Sequence, residues 1–292
     1  MRAGGPYDDA AVRLRAVLAV HSSAVVFHPP LPVDRSAAAD AALKPSTGAL
    51  PGALAALFDE SPANQGDPEC PLEHRGFVLC LAASPTTLQA QHVWQSSLVL
   101  GDLVLDGDAL VGTVAGMRVC ELGAGAAYPS LACARMGAAR VVATDYPSPA
   151  LVRNMEVNIA RNHCARAAVA LPHRWGDSIQ PLEEAARVAL GERVNGDAFD
   201  IVMAADTLWR AEGHRDMMTS LCNLARDAET RVVLAFMDHD VDGATARAFM
   251  ALTAQAGFAV LAHRDVDWSR GRREDYYGDV HVRVLRRERL VA

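Results

Sequence analysis

Four residues are spaced so that they could do chemistry together: Glu121, Gly123, Gly125 and Asp145. The first three open the run Glu121-Leu122-Gly123-Ala124-Gly125-Ala126-Ala127, which follows the apolar segment Met117-Arg118-Val119-Cys120. Glycines at such a turn let the backbone bend sharply and approach a ligand, because no Cβ stands in the way. The small Ala127 still allows a helix to pack nearby. Asp145 lies 20 residues beyond Gly125 and ends a second apolar segment, Arg140-Val141-Val142-Ala143-Thr144. A carboxylate there can accept both hydroxyls of a ribose. Glu121 separates two kinds of ligand. A pyrophosphate at this turn would be repelled by the adjacent carboxylate, whereas a cationic amino acid would be attracted. S-adenosylmethionine carries an ammonium and a sulfonium and no phosphate, so the pattern favours it over NAD. The other reading of Glu121 is a structural ion pair.

Two further groupings bear on chemistry. Asp206-Thr207-Leu208-Trp209 follows another apolar strand; a helix N-cap is one reading of Asp206. Asp238-His239-Asp240-Val241-Asp242 alternates carboxylates with a histidine, a set able to hold a divalent ion, but it reads better as a solvated loop and helix cap, and no metal is expected. The six cysteines (70, 80, 120, 133, 164 and 222) include no C-x-x-C pair, which argues against a zinc site or a disulfide scaffold and points to the reducing cytosol.

The elements that must position these residues follow from periodicity. Residues 88–106 carry Leu88, Val93, Trp94, Leu98, Leu100 and Leu103 at helical spacing, predicting a helix with one apolar stripe. Strands are predicted at 117–122, 140–144, 168–174, 199–205 and 231–236, with helices at 128–137, 148–162, after Pro181, at 211–228 and at 243–256. Two more strands, about 258–265 and 279–286, have no helix between them. The alternation argues for an α/β fold, a parallel sheet covered on both faces with an antiparallel pair at one edge. Upstream of residue 88 the chain is Pro- and Ala-rich, with a short helix possible at 9–20 and a strand at 76–81. We read 1–87 as an N-terminal extension or lid and 88–292 as one domain.

Composition excludes other classes. Alanine supplies 54 of the 292 residues, aromatics only 5%, and charged residues 22%, as a packed core of Val, Leu and Ala requires. The net charge of −7 disfavours a general nucleic-acid binder, which needs clustered positive charge. Lys44 is the only lysine, a coding bias rather than a chemical feature. The arginine-rich stretch 270–289 reads as a charged edge strand that discourages aggregation. No apolar run approaches the ~18–20 residues that cross a bilayer, and the first residues show no signal-peptide core. A cytoplasmic monomer without membrane or nucleic-acid partners is expected.

His92-Val93-Trp94-Gln95-Ser96-Ser97, Val119 through Leu131, Thr144-Asp145-Tyr146-Pro147-Ser148-Pro149 and Trp175-Gly176-Asp177 occur in that order. Over residues 90–236 the chain resembles the seven-β-strand, S-adenosylmethionine-dependent methyltransferases. Within them it resembles the fungal nicotinamide N-methyltransferase-like group, whose members methylate the N-terminus and a nearby lysine of translation elongation factor 1A. The resemblance implies a Rossmann-like seven-stranded sheet of the class I methyltransferase type with an antiparallel terminal strand, and S-adenosyl-L-methionine as cofactor. It also implies roles. Trp94 borders the cofactor pocket; Glu121, Gly123 and Gly125 form the cofactor turn; Asp145 binds the ribose. Tyr146 flanks the adenine, Trp175 stacks near it, and Ala205 completes the cofactor contacts. Asp206 and Trp209 match the D-x-x-aromatic element that serves catalysis, the carboxylate orienting an amine and the ring packing its aliphatic stem. The chain departs from the family at Arg210-Ala211 and at 237–242, both on the substrate side. The expected activity is N-methylation of a protein lysine or α-amino group. The alternatives are a small-molecule amine as substrate, or a non-catalytic methyltransferase-like binding protein.

Overall fold

The short apolar runs of the sequence become the central strands of a seven-stranded sheet in a computed structural model that describes residues 72–81, 93–187, 198–240, 242–267 and 278–288. The elements in chain order are β1 (Leu72–His74), β2 (Phe77–Leu79), α1 (Gln95–Leu105), β3 (Arg118–Leu122), α2 (Tyr128–Arg135), β4 (Arg140–Asp145), α3 (Pro149–Arg161) and β5 (Ala168–Pro172). They continue with α4 (Gln180–Arg187), β6 (Ile201–Ala205), α5 (His214–Leu224), β7 (Arg231–Phe236), α6 (Ala244–Gln255), β8 (Phe258–Asp267) and β9 (Asp279–Arg287). The sheet is ordered β5-β4-β3-β6-β7-β9-β8; strands β3 to β7 pair in parallel, and β9 runs antiparallel to both of its neighbours. The sheet is therefore the predicted α/β arrangement with its antiparallel edge.

Alternation along the strands divides the core between the two faces. Cys120, Leu122, Val142, Val202, Ala204, Val232 and Leu234 pack with α4, α5 and α6. Val119, Val141, Met203, Val233 and Ala235 pack with α1 and α2. Chain connection reverses direction between β3 and β6, which opens a crevice at the carboxyl ends of those strands, the usual ligand site of an open α/β sheet.

Two expectations change. Helix α1 does not show a single apolar stripe: nine of the ten residues from Gln95 to Val104 are buried, including Asp102. A helix covered all round lies inside the fold, and here the outer cover is the β1–β2 hairpin, of which only the second strand was anticipated. Leu72, Phe77 and Leu79 join the same core as α1 and α2. His74 Nε2 and the Tyr128 hydroxyl both donate to Asp102 Oδ1, at 2.8 and 2.6 Å. Asn158 on α3 spans Cys80, accepting from its N–H at 2.7 Å and donating to its carbonyl at 2.9 Å. One turn later Asn162 does the same for Val78, at 2.9 and 2.8 Å. The helix expected at 211–228 is a 3-10 turn (Ala211–Gly213) followed by α5, which stops at Leu224, where the apolar period gives way to Arg226-Asp227. The expected helix at 9–20 and residues 88–92 lie outside the described residues. Among those described, no helix is long and apolar enough to cross a membrane.

Candidate active site

Strand β3 delivers the glycine turn at its carboxyl end. Gly123, Gly125 and Ala127 take φ values of 69°, 53° and 62°, in the left-handed region. At Gly123 the need for glycine is also spatial: a Cβ would stand 2.7 Å from Thr207 Cγ2 and 3.3 Å from Trp175 Cζ2. The turn is tied to the next strand through Asp145. Gly125 N–H donates to Asp145 Oδ2 at 2.7 Å, and Tyr146 N–H donates to Oδ1 at 2.7 Å. Asp145 is buried, and burial holds its carboxyl above the usual carboxylate range while those two backbone donors pull it back. Each oxygen accepts one bond from the protein and keeps a lone pair for a ligand.

Glu121 lies behind the turn. Its Oε2 accepts from the Ser130 N–H at 2.9 Å and the Ser130 hydroxyl at 2.5 Å, both on the first turn of α2. Its Oε1 is buried without a hydrogen-bond partner among the described residues. Burial pushes this carboxyl up to about 8, the Ser130 bonds oppose that, and the charge of Asp145 adds to it. No ion pair is recorded for Glu121 among the described residues. Its protein contacts are hydrogen bonds to the start of a helix, where a carboxylate is favoured.

Across the crevice, β6 ends in Ala205 and leads into Asp206. Asp206 is a non-glycine residue at φ 56°, and its N–H is fixed by the Ala235 carbonyl at 2.8 Å. Its side chain is buried; Oδ1 meets His239 Nε2 at 2.7 Å, and Oδ2 has no partner among the described residues. The Asp206 side chain therefore does not cap α5, whose N-cap is Gly213. The Trp94 ring stands edge-on to His239, with centroids 5.5 Å apart and planes at 82°. Thr207 and Leu208 are buried, while Trp209 is half-buried with the Arg210 guanidinium 5.1 Å from its ring centre.

Trp175 closes the crevice beyond β5. It is half-buried against the sheet face that carries α5, and a Cβ on Gly213 would stand 3.1 Å from its Cζ3. The following Gly176 N–H donates to the Ser220 hydroxyl, which also meets His173 Nε2, each at 2.9 Å. These bonds fix the loop that carries the indole.

Glu121, Gly123, Gly125, Asp145, Tyr146, Trp175, Ala205 and Asp206 thus all lie at the carboxyl ends of β3, β4, β5 and β6. Trp94 meets this rim through His239, on the β6–β7 side. Trp209 stands three residues beyond Asp206 and touches its own neighbour Arg210. Sequence reasoning missed His239 as a member of the site, because its partner Asp206 is 33 residues away. It also missed Thr207 and Ser130. The only available signal was the alternation of acids around His239. Asp240, three residues before the Gly243 N-cap of α6, serves that helix's first turn: its Oδ2 accepts from the Thr245 N–H at 2.8 Å and hydroxyl at 2.6 Å. No group of three or more metal-ligating side chains occurs among the described residues.

The family described as lysine methyltransferase matches residues 78–253, more than half of the 292-residue chain. The chain is 31% identical over 164 residues to a protein of Gibberella zeae named protein N-terminal and lysine N-methyltransferase EFM7, covering 53% of this chain and 59% of that one. It is 34% identical over 155 residues to the protein of the same name from Schizosaccharomyces pombe, covering 52% and 57%. The chain therefore spans less than two thirds of the length of these relatives. Among solved structures, a ribosomal protein L11 methylase from Lactobacillus delbrueckii subsp. bulgaricus aligns with a TM-score of 0.45 and 18% identity, covering 68% of this chain and 81% of that one.

Proposed function

The chain belongs to the lysine methyltransferase family, and on that premise we propose that it is an S-adenosylmethionine-dependent N-methyltransferase acting on a protein lysine or α-amino group. Of the four buried carboxylate oxygens without a partner among the described residues, two belong to the crevice, Glu121 Oε1 beside the glycine turn and Asp206 Oδ2 across from it, and these carry the reading. A buried carboxylate oxygen without a donor is costly unless a ligand satisfies it. Two of them suit a reaction whose two participants are both cations.

The residues present fit the cofactor. Asp145, with a lone pair left on each oxygen, would accept the ribose hydroxyls. Glycine at 123 lets the turn close against Thr207, where a Cβ would clash, and the Trp175 edge next to it would offer an apolar wall for the adenine, which Tyr146 would flank. Ala205 ends β6 between the two halves. Glu121 would receive the cationic amino-acid end, and Trp94 would border the pocket from the start of α1. When bound, S-adenosylmethionine supplies a methyl group activated on a sulfonium. The chain's own task is to bring up a neutral amine in line with that methyl and to exclude water. Asp206 would orient the amine through Oδ2, and Trp209 would pack the aliphatic stem of a lysine. Direct transfer needs neither a covalent intermediate nor a metal.

Elongation factor 1A is the first protein substrate to test, on the strength of the sequence resemblance, and a monomer in the cytoplasm that binds no nucleic acid is the matching biological setting. Residues 1–87 would serve as an extension or lid to the unit at 88–292, anchored to its core by the β1–β2 hairpin through Leu72, Phe77 and Leu79. The experiment uses the full chain, tritiated methyl donor and a cell extract. Label running with a protein band is the expected result. Label confined to the small-molecule fraction would replace the protein substrate with a small amine, and absence of donor binding by the full chain would leave only a binding protein.

A further inference from the structure

We infer that His239 is a catalytic residue of this methyl transfer: held through Nε2 by Asp206, it takes at Nδ1 the proton that the substrate ammonium must lose before it can attack. This rests on the reading of the chain as an amine methyltransferase.

Three elements converge on the imidazole. Asp206, at the end of β6, is held in a left-handed conformation (φ 56°), which a non-glycine residue keeps where its surroundings impose it. That conformation aims a buried carboxylate at His239 across 2.7 Å. A carboxylate only accepts, so the shared proton sits on Nε2, and the neutral ring keeps its lone pair on Nδ1. No hydrogen bond to Nδ1 is recorded among the described residues. Trp94, at the start of α1, stands edge-on to the ring and fixes its plane. The His239 side chain is 23% exposed, against 1% for Asp206, so it stands at the mouth of the crevice with the carboxylate behind it. This is how a base is oriented by a third group in acid–base catalysis generally.

The surrounding charges favour proton uptake. Burial lowers the basicity of His239, but Asp206, with Asp238 and Asp240 on its own loop, raises it above the ordinary histidine value. From β9, His281 faces the same loop, 3.4 Å from Asp238 and 2.8 Å from Asp265 on β8. No other ionisable group is recorded against His239 among the described residues. The step balances without a further reagent. One N–H bond of the ammonium breaks and its proton passes to His239 Nδ1. The freed nitrogen lone pair then forms the N–CH3 bond as the S–CH3 bond breaks, leaving a neutral thioether and a methylammonium. His239 returns its proton to solvent.

The test compares the wild-type full chain with His239→Gln, which can still donate to Asp206 but cannot take a proton. Donor binding by calorimetry and the melting temperature are expected to stay near wild type. Tritiated methyl transfer to cell-extract protein, followed from pH 6 to 10, is expected to fall about 10²–10³-fold at pH 7. The gap should close as pH nears the value at which the amine is neutral unaided, about 10.4 for a lysine and about 8 for an α-amino group. Equal rates and equal pH profiles in the two proteins would overturn the role of His239 alone; so would a loss that is uniform across pH. No transfer by a donor-bound wild type would remove the methyltransferase reading and this role together. A second readout needs no substrate: in a carbon-13 histidine titration, Asp206→Asn should lower the pKa of His239 and abolish its Nε2–H preference. An unchanged titration would show that Asp206 does not hold the base.

Discussion

Gly125 and Asp145, on neighbouring strands' turns, are joined by one hydrogen bond of 2.7 Å from the Gly125 N–H to Asp145 Oδ2. The carboxylate proposed to bind the ribose therefore also holds the shape of the turn that must receive the rest of the cofactor. Asp145→Ala is expected to remove donor binding and to loosen the turn, whereas Asp145→Asn should preserve volume and lose at least about 1.5–3 kcal/mol of binding, a tenfold or greater weakening. Calorimetry on both variants checks this; an unchanged affinity for either would move the ribose site elsewhere.

Gly123→Ala places a methyl 2.7 Å from Thr207 Cγ2 at a φ of 69°. We expect a lower melting temperature, by about 1–2 kcal/mol of stability for the left-handed alanine alone, and at least tenfold weaker donor binding. The double variant with Thr207→Ser removes Cγ2 and should recover part of the binding loss but not the backbone term. No recovery would mean that Thr207 is not the obstacle.

Glu121 gives a pH signature. Its carboxyl, pushed up to about 8 mainly by burial, is mostly protonated at pH 7 in the free protein. A cation arriving at Oε1 favours the ionised form, so donor binding at pH 7 should release close to one proton, and at pH 9 almost none. Titrations in buffers of different ionisation enthalpy measure this directly. The folded value lies above the unfolded one, so ionisation of Glu121 destabilises the fold increasingly as pH rises from about 4.5 to 8. Glu121→Gln should therefore raise stability at pH 8 by at least about 1.4 kcal/mol, the worth of one pKa unit, lose that gain near pH 5, and release no proton on binding.

Much of this site was legible because its parts are local. Gly123, Gly125 and Glu121 sit within five residues, and the 20-residue step to Asp145 is one helix and one strand, α2 and β4, which fixes where the carboxylate ends up. The strand pair without an intervening helix gave the antiparallel edge. Contacts made only by tertiary folding were not legible. His239 looked like solvent-facing punctuation because Asp206 meets it from another strand end. Strand β1 was hidden because three residues of mixed polarity, Leu72-Glu73-His74, have no periodicity of their own and become a strand only against β2. The left-handed φ of Asp206 has no mark in composition, since nothing in D-T-L-W demands it.

Asn158 carries a burden that its helix does not need. It satisfies the Cys80 N–H and carbonyl and also donates to the Ala126 carbonyl at 3.1 Å. Asn158→Leu should strand a buried N–H and cost about 1–3 kcal/mol per unsatisfied group. Hydrogen exchange is expected to accelerate at Val78 and Cys80 well before it does in β3. Equal protection of both segments would show that the hairpin is held by its apolar contacts alone.

That same asparagine pair bears on the order in which the chain is completed. The hairpin is made early, yet the side chains that bond its backbone, Asn158 on α3 and Asn162 just after it, lie 78 and 84 residues downstream. Until α3 has emerged, Val78 and Cys80 present open strand-edge groups, and α1 lacks the cover that its apolar surface requires. Contacts this distant in sequence form late, since the intervening loop must be closed before they contribute. One of the first segments of the described structure to be synthesised is thus among the last to be fastened, and the interval between those two events is when the nascent chain is most open to pairing with another strand.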